Sequence, residues 1–205
     1  MKTVKSLRPS EGAKNAMTGK GANFKGEAFP GNINSLLNVI RKKCRTALSD
    51  KRCFTIGDIF HQDKLRGRIL VNKGFLAENA ALFNQPKNEI RGLYLFCDKA
   101  NQPLYVGISS TVKRRLRQHF FGTAHNQASL VYLMGKEEFR AKEGSAFSGR
   151  RASFPFVAYG EPIQEKLKAS TKIRIIPIED IFELALSEIY YACYYRTPWN
   201  TFAPH

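Results

Sequence analysis

Between Gly92 and Ser109, aliphatic side chains recur at every second position. Leu93 and Leu95 alternate with Gly92, Tyr94 and Phe96. Leu104, Val106 and Ile108 alternate with Tyr105, Gly107 and Ser109. A period of two predicts two strands, each with an aliphatic face and a face carrying a tyrosine. The intervening Asp98-Lys99-Ala100-Asn101 is turn-forming and predicts a hairpin with a four-residue loop. Symmetric closure would pair Phe96 with Pro103, Leu95 with Leu104 and Tyr94 with Tyr105. Pro103 at a strand start indicates an edge position, because it donates nothing to the ladder. Ser110 or Thr111 can then cap a helix beginning at Val112. On that helix Arg115 and His119, four apart, share a face.

The rest of the chain is mostly helical in rhythm. In residues 32–48, Leu36, Ile40, Cys44 and Leu48 recur at spacing four, Leu37 widens the stripe, and Asn34 or Ser35 is a candidate cap. Arg41, Lys42, Lys43 and Arg45 give this helix a basic side, which is either a solvated face or a phosphate-facing one. CFTIGDIF is a short strand or a helix start. HQDKLRGRILVNKGF, with Arg66, Arg68 and Lys73 around an aliphatic run, suits a basic hairpin, and AENAALFNQ a short helix. Residues 129–144 are helix-like, SFPFVAYGEP has the composition of a loop, and TKIRIIPI predicts a third strand. Asp180 with Glu183 has capping-box spacing and opens a helix over 181–195. On it Glu188 shares a mostly apolar stripe with Ile181, Leu184, Ala192 and Tyr195. An unpaired carboxylate there costs several kcal/mol or becomes protonated. Either it lies at the stripe's margin, bonded to a lysine or hydroxyl, or a metal ion or other cation compensates it.

Charge narrows the function. The 205 residues carry 33 Lys+Arg against 17 Asp+Glu, a net charge of +16. Such a field favours a polyanion, nucleic acid before membrane. Residues 1–31 are rich in Gly, Lys and small polar types and predict a basic flexible arm, either a phosphate-tracking segment or a tail without a role. No apolar run approaches a membrane span and the N-terminus lacks an apolar signal core, so the cytoplasm is the expected location. The four cysteines are scattered, which fits reduced thiols better than a zinc knuckle or disulfides. His61 has no Cys or His neighbour and is not a metal candidate.

Gly92-Leu93-Tyr94 and Tyr105-Val106-Gly107 resemble the two tripeptides that name the GIY-YIG nucleases. Arg115 lies eight residues after Gly107, where that family places its catalytic arginine, and His119 follows four later, as in several members. Glu188 in ALSEIYYACYY resembles the family's late-helix metal ligand, with Glu183 as the runner-up, and Asn200 in RTPWN resembles its asparagine. The resemblance spans roughly 92–200, with a long non-matching stretch inside. It implies an α/β (α+β) core, a small antiparallel three-stranded sheet flanked by helices, with a helix-rich basic N-terminal extension. The expected organisation is an arm over 1–31, a DNA-contacting accessory region over 32–90, and a nuclease core over 91–205 with an insertion at about 121–170.

The resemblance also implies a chemistry: metal-dependent hydrolysis of DNA phosphodiesters. In that reading Glu188 holds Mg2+ or Mn2+, Arg115 neutralises phosphate charge, Tyr94 is the general base, and Tyr105 positions water or phosphate. His119 shuttles a proton or donates to phosphate, and Asn200 orders the site. Lys42, Lys43, Arg45, Lys113, Arg114 and Arg117 are the candidate contacts to duplex DNA. The sequence ends soon after Asn200, so recognition is expected from residues 1–90, the insertion or a partner. That layout most resembles a stand-alone type II restriction enzyme of bacterial or phage type, acting as a homodimer on a palindrome. The alternatives are a non-catalytic basic nucleic-acid-binding protein, a repair- or recombination-associated structure-specific nuclease, and, more weakly, an RNA-binding or RNA-cutting protein.

Overall fold

The computed structural model describes residues 32–63, 65–123 and 127–201. The arm expected over 1–31 lies outside them. Chain order runs α1 (Ile33–Ala47), α2 (Ile56–Ile59), β1 (Phe60–Gln62), β2 (Ile69–Val71) and α3 (Lys73–Glu78). Then come β3 (Gly92–Cys97), β4 (Pro103–Ser109), α4 (Val112–Phe121), α5 (Ser129–Glu143), α6 (Phe156–Tyr159), α7 (Glu161–Ser170), β5 (Lys172–Pro177) and α8 (Ile181–Tyr195). Short 3-10 turns at Ala80–Leu82, Pro86–Asn88 and Arg151–Ser153 join them. The protein is α/β (α+β), with a three-stranded sheet of order β4-β3-β5, antiparallel throughout.

β3 runs down the middle, and every one of its residues is buried. The alternation in its sequence becomes a division between two cores. Tyr94 and Phe96 join Leu116 and Phe120 of α4, Leu130 and Val131 of α5, and Leu167 of α7 on one face. Leu93, Leu95 and Cys97 join Val106, Ile40 and Cys44 of α1, and Leu184, Tyr191 and Ala192 of α8 on the other. Each buried aliphatic or aromatic side chain stabilises the fold by roughly 1.5–3 kcal/mol, so both faces contribute substantially.

The hairpin register differs from symmetric closure. Tyr94 lies opposite Gly107, Leu95 opposite Val106, and Phe96 opposite Tyr105, with an irregularity between Phe96 and Cys97 that brings Cys97 to Pro103. The turn is closed by Asp98, whose Oδ1 accepts from the Gln102 N–H at 2.8 Å, and by Asn101 in the left-handed region at φ 67. This longer turn and the irregularity displace the Tyr94 and Tyr105 partners by two residues. An even displacement leaves the side chains from Tyr105 onwards on their expected face, whereas Pro103, beyond the irregularity, lies opposite Cys97 instead of Phe96.

Caps differ likewise. Asn32, ahead of the expected Asn34 or Ser35, caps α1 by accepting from both of their N–H groups. Neither Ser110 nor Thr111 caps α4 through its side chain. The Val112 N–H donates to the Ile90 carbonyl at 2.8 Å and the Lys113 N–H to Glu89 Oε1 at 2.9 Å. The orphan donors of that helix are thus satisfied from the segment entering β3.

CFTIGDIF resolves into α2 with a Thr55–Asp58 capping box, followed by β1. The basic hairpin forms as β1–β2, with His61 opposite Leu70. The helix expected at AENAALFNQ lies earlier, as α3, and the motif itself holds a 3-10 turn. SFPFVAYGEP is not a loop but α6 and the start of α7, whose Pro162 sits in the first turn where no N–H is needed. Residues 128–167 supply Ala128, Tyr132, Phe154, Phe156 and Leu167 to the first core, because an exposed Tyr94–Phe96 face needs a cover. No helix among the described residues is long and apolar enough to cross a membrane.

Candidate active site

The two tripeptides meet at a close approach that only glycine permits. A Cβ on Gly107 would lie 2.2 Å from the Tyr94 hydroxyl oxygen and 2.3 Å from its Cζ. A Cβ on Gly92 would lie 2.3 Å from the Ile176 carbonyl oxygen of β5. One glycine therefore makes room for a ring, the other for a neighbouring strand.

Tyr94, Tyr105 and His119 pack as a triangle, with ring centroids 6.3, 5.6 and 5.7 Å apart. His119 Nε2 is 2.9 Å from the Tyr94 hydroxyl, and its buried Nδ1 has no hydrogen-bond partner. An orphaned N–H is rarer than a bare acceptor. The tautomer protonated on Nε2, donating to the Tyr94 oxygen, is therefore the less costly one. Burial, followed by the nearby Arg115 charge, pushes the His119 pKa down to about 3, so the ring is neutral. Burial drives the Tyr94 phenol well above its ordinary value. Tyr105 pushes it the same way, and Arg115 opposes.

Arg115, also on α4, is half-buried and held by its surroundings. Nη1 donates to the Gln127 carbonyl at 3.0 Å and to Gln118 Oε1 at 3.3 Å, and Nη2 donates to Ser129 Oγ at 3.2 Å. Glu188 on α8 reaches the same electrostatic neighbourhood. Burial raises its carboxyl above the ordinary range and Arg115 pulls it back, while its charge raises both tyrosines. Of its expected stripe, Leu184 and Ala192 are buried and Ile181 is 38% exposed, while Glu188 itself is half-buried. Glu183, the alternative ligand, is taken: Lys43 Nζ lies 2.6 Å from its Oε1 and its N–H is bonded to Asp180.

Asn200 does not stand among these groups. Its Oδ1 accepts from the Val106 N–H and its Nδ2 donates to the Val106 carbonyl, both at 2.8 Å. The side-chain amide thus imitates a strand on the open edge of β4. Thr197 fixes the amide by donating to Oδ1 at 2.8 Å, and the Trp199 N–H reaches the Leu104 carbonyl at 3.3 Å. Tyr105 lies between the two β4 residues so held.

The candidate DNA contacts divide. Lys42 and Arg45 are exposed on α1, whereas Lys43 is ion-paired with Glu183. Lys113 lies over the Phe83 ring at 5.4 Å. Arg114 and Arg117 line a groove with Arg68. Sequence reasoning missed Gln118, Gln127 and Ser129 as holders of Arg115. Only Gln118, three residues from Arg115 on the same helix, was within reach of a spacing argument.

No group of three or more His, Cys, Asp or Glu side chains is poised for a metal among the described residues. A Mg2+ ion does not require one, since it keeps several waters and uses one or two carboxylates with substrate phosphate. Glu188, an oxygen ligand whose ionised form is disfavoured by burial, fits that role.

No curated protein and no solved structure gives a significant match to this chain. Residues 91–148, which contain β3, β4, α4 and α5, match the family model for the GIY-YIG catalytic domain.

Proposed function

We propose that the protein is a divalent-metal-dependent endonuclease that hydrolyses phosphodiester bonds in duplex DNA. The observation that carries this reading is the convergence of Tyr94, Tyr105, Arg115, His119 and Glu188, from two strands and two helices, on one electrostatic neighbourhood. Superfamily members generally use divalent metals. Held by Glu188, Mg2+ or Mn2+ would supply Lewis-acid charge beside the phosphate.

The chain's own groups do the rest. Arg115, its planar fork fixed by three acceptors, presents its remaining N–H groups to the phosphate oxygens that gain charge in the transition state. Tyr94, as its phenolate, takes the proton from water and becomes the neutral phenol as the water oxygen bonds to phosphorus. The opposite P–O bond breaks, and the departing alkoxide takes a proton from solvent. A phenol buried this deeply resists ionisation, so Tyr94 depends on two aids, the Nε2–H of His119 and the Arg115 charge. Tyr105 orients the attacking water, and Asn200 fixes the strand that carries Tyr105. The subtype we favour is a type II restriction enzyme working as a homodimer.

The test is cleavage of supercoiled plasmid with Mg2+, and with EDTA as control. Nicking or linearisation is expected from the parent and not from Glu188→Ala or Arg115→Ala. Full activity in either variant refutes the assignment. Parallel substrates of single-stranded DNA and RNA test the choice of duplex DNA, and a mixture of sites tests sequence specificity.

A further inference from the structure

A groove of about 700 Å3 runs between α4 and the β1–β2 hairpin, and its hairpin wall lies outside the segment that matches the family. Arg68 from the hairpin and Arg114 and Arg117 from α4 all line it. All three side chains are exposed, and none has a carboxylate partner among the described residues. Three guanidiniums facing one cavity repel each other, so folding gives no reason to gather them. A polyanion gives one, because it replaces that repulsion with attraction and releases counterions.

The groove is preformed and leads to the catalytic cluster. Phe60 at the base of the hairpin packs on Phe121 of α4 at a centroid distance of 6.0 Å. Asn72, just after β2, donates through Nδ2 to the Gly57 and Asp58 carbonyls at 2.7 and 2.9 Å, which ties the hairpin to α2. Gln118 and Gln127 line the groove and also hold Arg115. Part of the groove lining is therefore the support of the arginine assigned to the scissile phosphate. Glu89, in the adjoining depression, is occupied by the Ile90 and Lys113 N–H groups.

We propose that the β1–β2 hairpin is a second DNA-backbone contact of this nuclease, with Arg68, Arg114 and Arg117 holding phosphates that flank the scissile bond. This rests on the nuclease reading for the identity of the occupant. The contacts are to phosphate and not to bases, so they set where the duplex lies over the cluster without reading sequence.

The experiment compares the full-length parent with Arg68→Gln and with the triple Arg68→Gln/Arg114→Gln/Arg117→Gln. Binding of a fluorescein-labelled duplex is followed by anisotropy across a salt series without divalent metal, and cleavage in single turnovers with Mg2+. Thermal melts confirm folding. Each lost arginine is expected to weaken binding to unrelated duplexes equally and to reduce the salt slope by about one. Single-turnover cleavage of subsaturating DNA should fall in Arg68→Gln in step with its weakened binding. Unchanged affinity and slope in the folded triple variant overturn the groove assignment, even if the parent cuts. A groove-dependent salt slope in a parent that cuts no nucleic acid supports the groove and refutes the nuclease reading.

Discussion

The Tyr94 ring occupies the space where residue 107 would carry a Cβ, its hydroxyl oxygen 2.2 Å from that position. Gly107 is directly opposite Tyr94 in the β3–β4 ladder, and the ring crosses it towards His119. The glycine of the second tripeptide is therefore a requirement of the tyrosine of the first. The backbone at Gly107 is not left-handed, so the requirement is one of space.

Gly107→Ala tests that requirement. Tyr94 is 1% exposed and backed by Phe96 and His119, so it cannot swing aside without disturbing the core. Overpacking of this kind costs about 1–3 kcal/mol. A lower Tm and loss of plasmid cleavage are expected together. An alanine variant with parental Tm and cleavage would show that the ring has room to move.

Glu188→Gln should separate activity from stability. Burial raises the Glu188 carboxyl above its ordinary value, so the folded state favours the protonated form. Its contribution to stability is present at pH below the ordinary carboxyl value and is lost as pH rises through the raised one. Near neutrality the parent holds a disfavoured carboxylate and the glutamine variant does not. The variant should melt higher than the parent at neutral pH, lose that advantage in acid, and fail to cut. Lower stability combined with retained cleavage would contradict both parts.

His119 gives the opposite sign. Its pKa is depressed from 6.5 to about 3, so the folded protein favours the neutral ring. The resulting stability is present above the ordinary histidine value and is lost as pH falls from about 6.5 towards about 3. His119→Phe removes this titration but leaves the Tyr94 hydroxyl without its partner, at a cost of about 1–3 kcal/mol. Melts across the acid range should start lower for the variant and fall less steeply. Parallel curves would mean that the ring is not held neutral.

Asn200→Asp isolates the amide that imitates a strand. Aspartate keeps an acceptor for the Val106 N–H but cannot donate to the Val106 carbonyl. It also brings a charge to the β4 edge. A loss of about 1–3 kcal/mol is expected from the unmade bond, with cleavage falling further than stability because Tyr105 loses its fixed strand. Chemical denaturation and single-turnover cleavage measure the two separately. Equal activity in folded Asn200→Asp would remove Asn200 from the site's support.

What the sequence determined by itself was whatever rests on local period and local chemistry. The alternation of Leu93 and Leu95 with Tyr94 and Phe96 assigned those side chains to opposite faces, and each joined a different core. The 181–195 helix appeared with the bounds its Asp180 cap and apolar spacing indicate. Tertiary structure decided what depends on partners distant in the chain. The register of Tyr94 against Gly107 was set by turn geometry beyond the reach of alternation, because a two-residue displacement keeps Tyr94, Tyr105 and Gly107 on one face. The cap of α4 came from Ile90 and Glu89, and the hold on Arg115 from Gln127 and Ser129, neither of which leaves a local pattern. Glu183 and Glu188 look alike on one helix. Only the packing of α1, which brings Lys43 to Glu183, separates the paired carboxylate from the one whose charge reaches Arg115 and the two phenols.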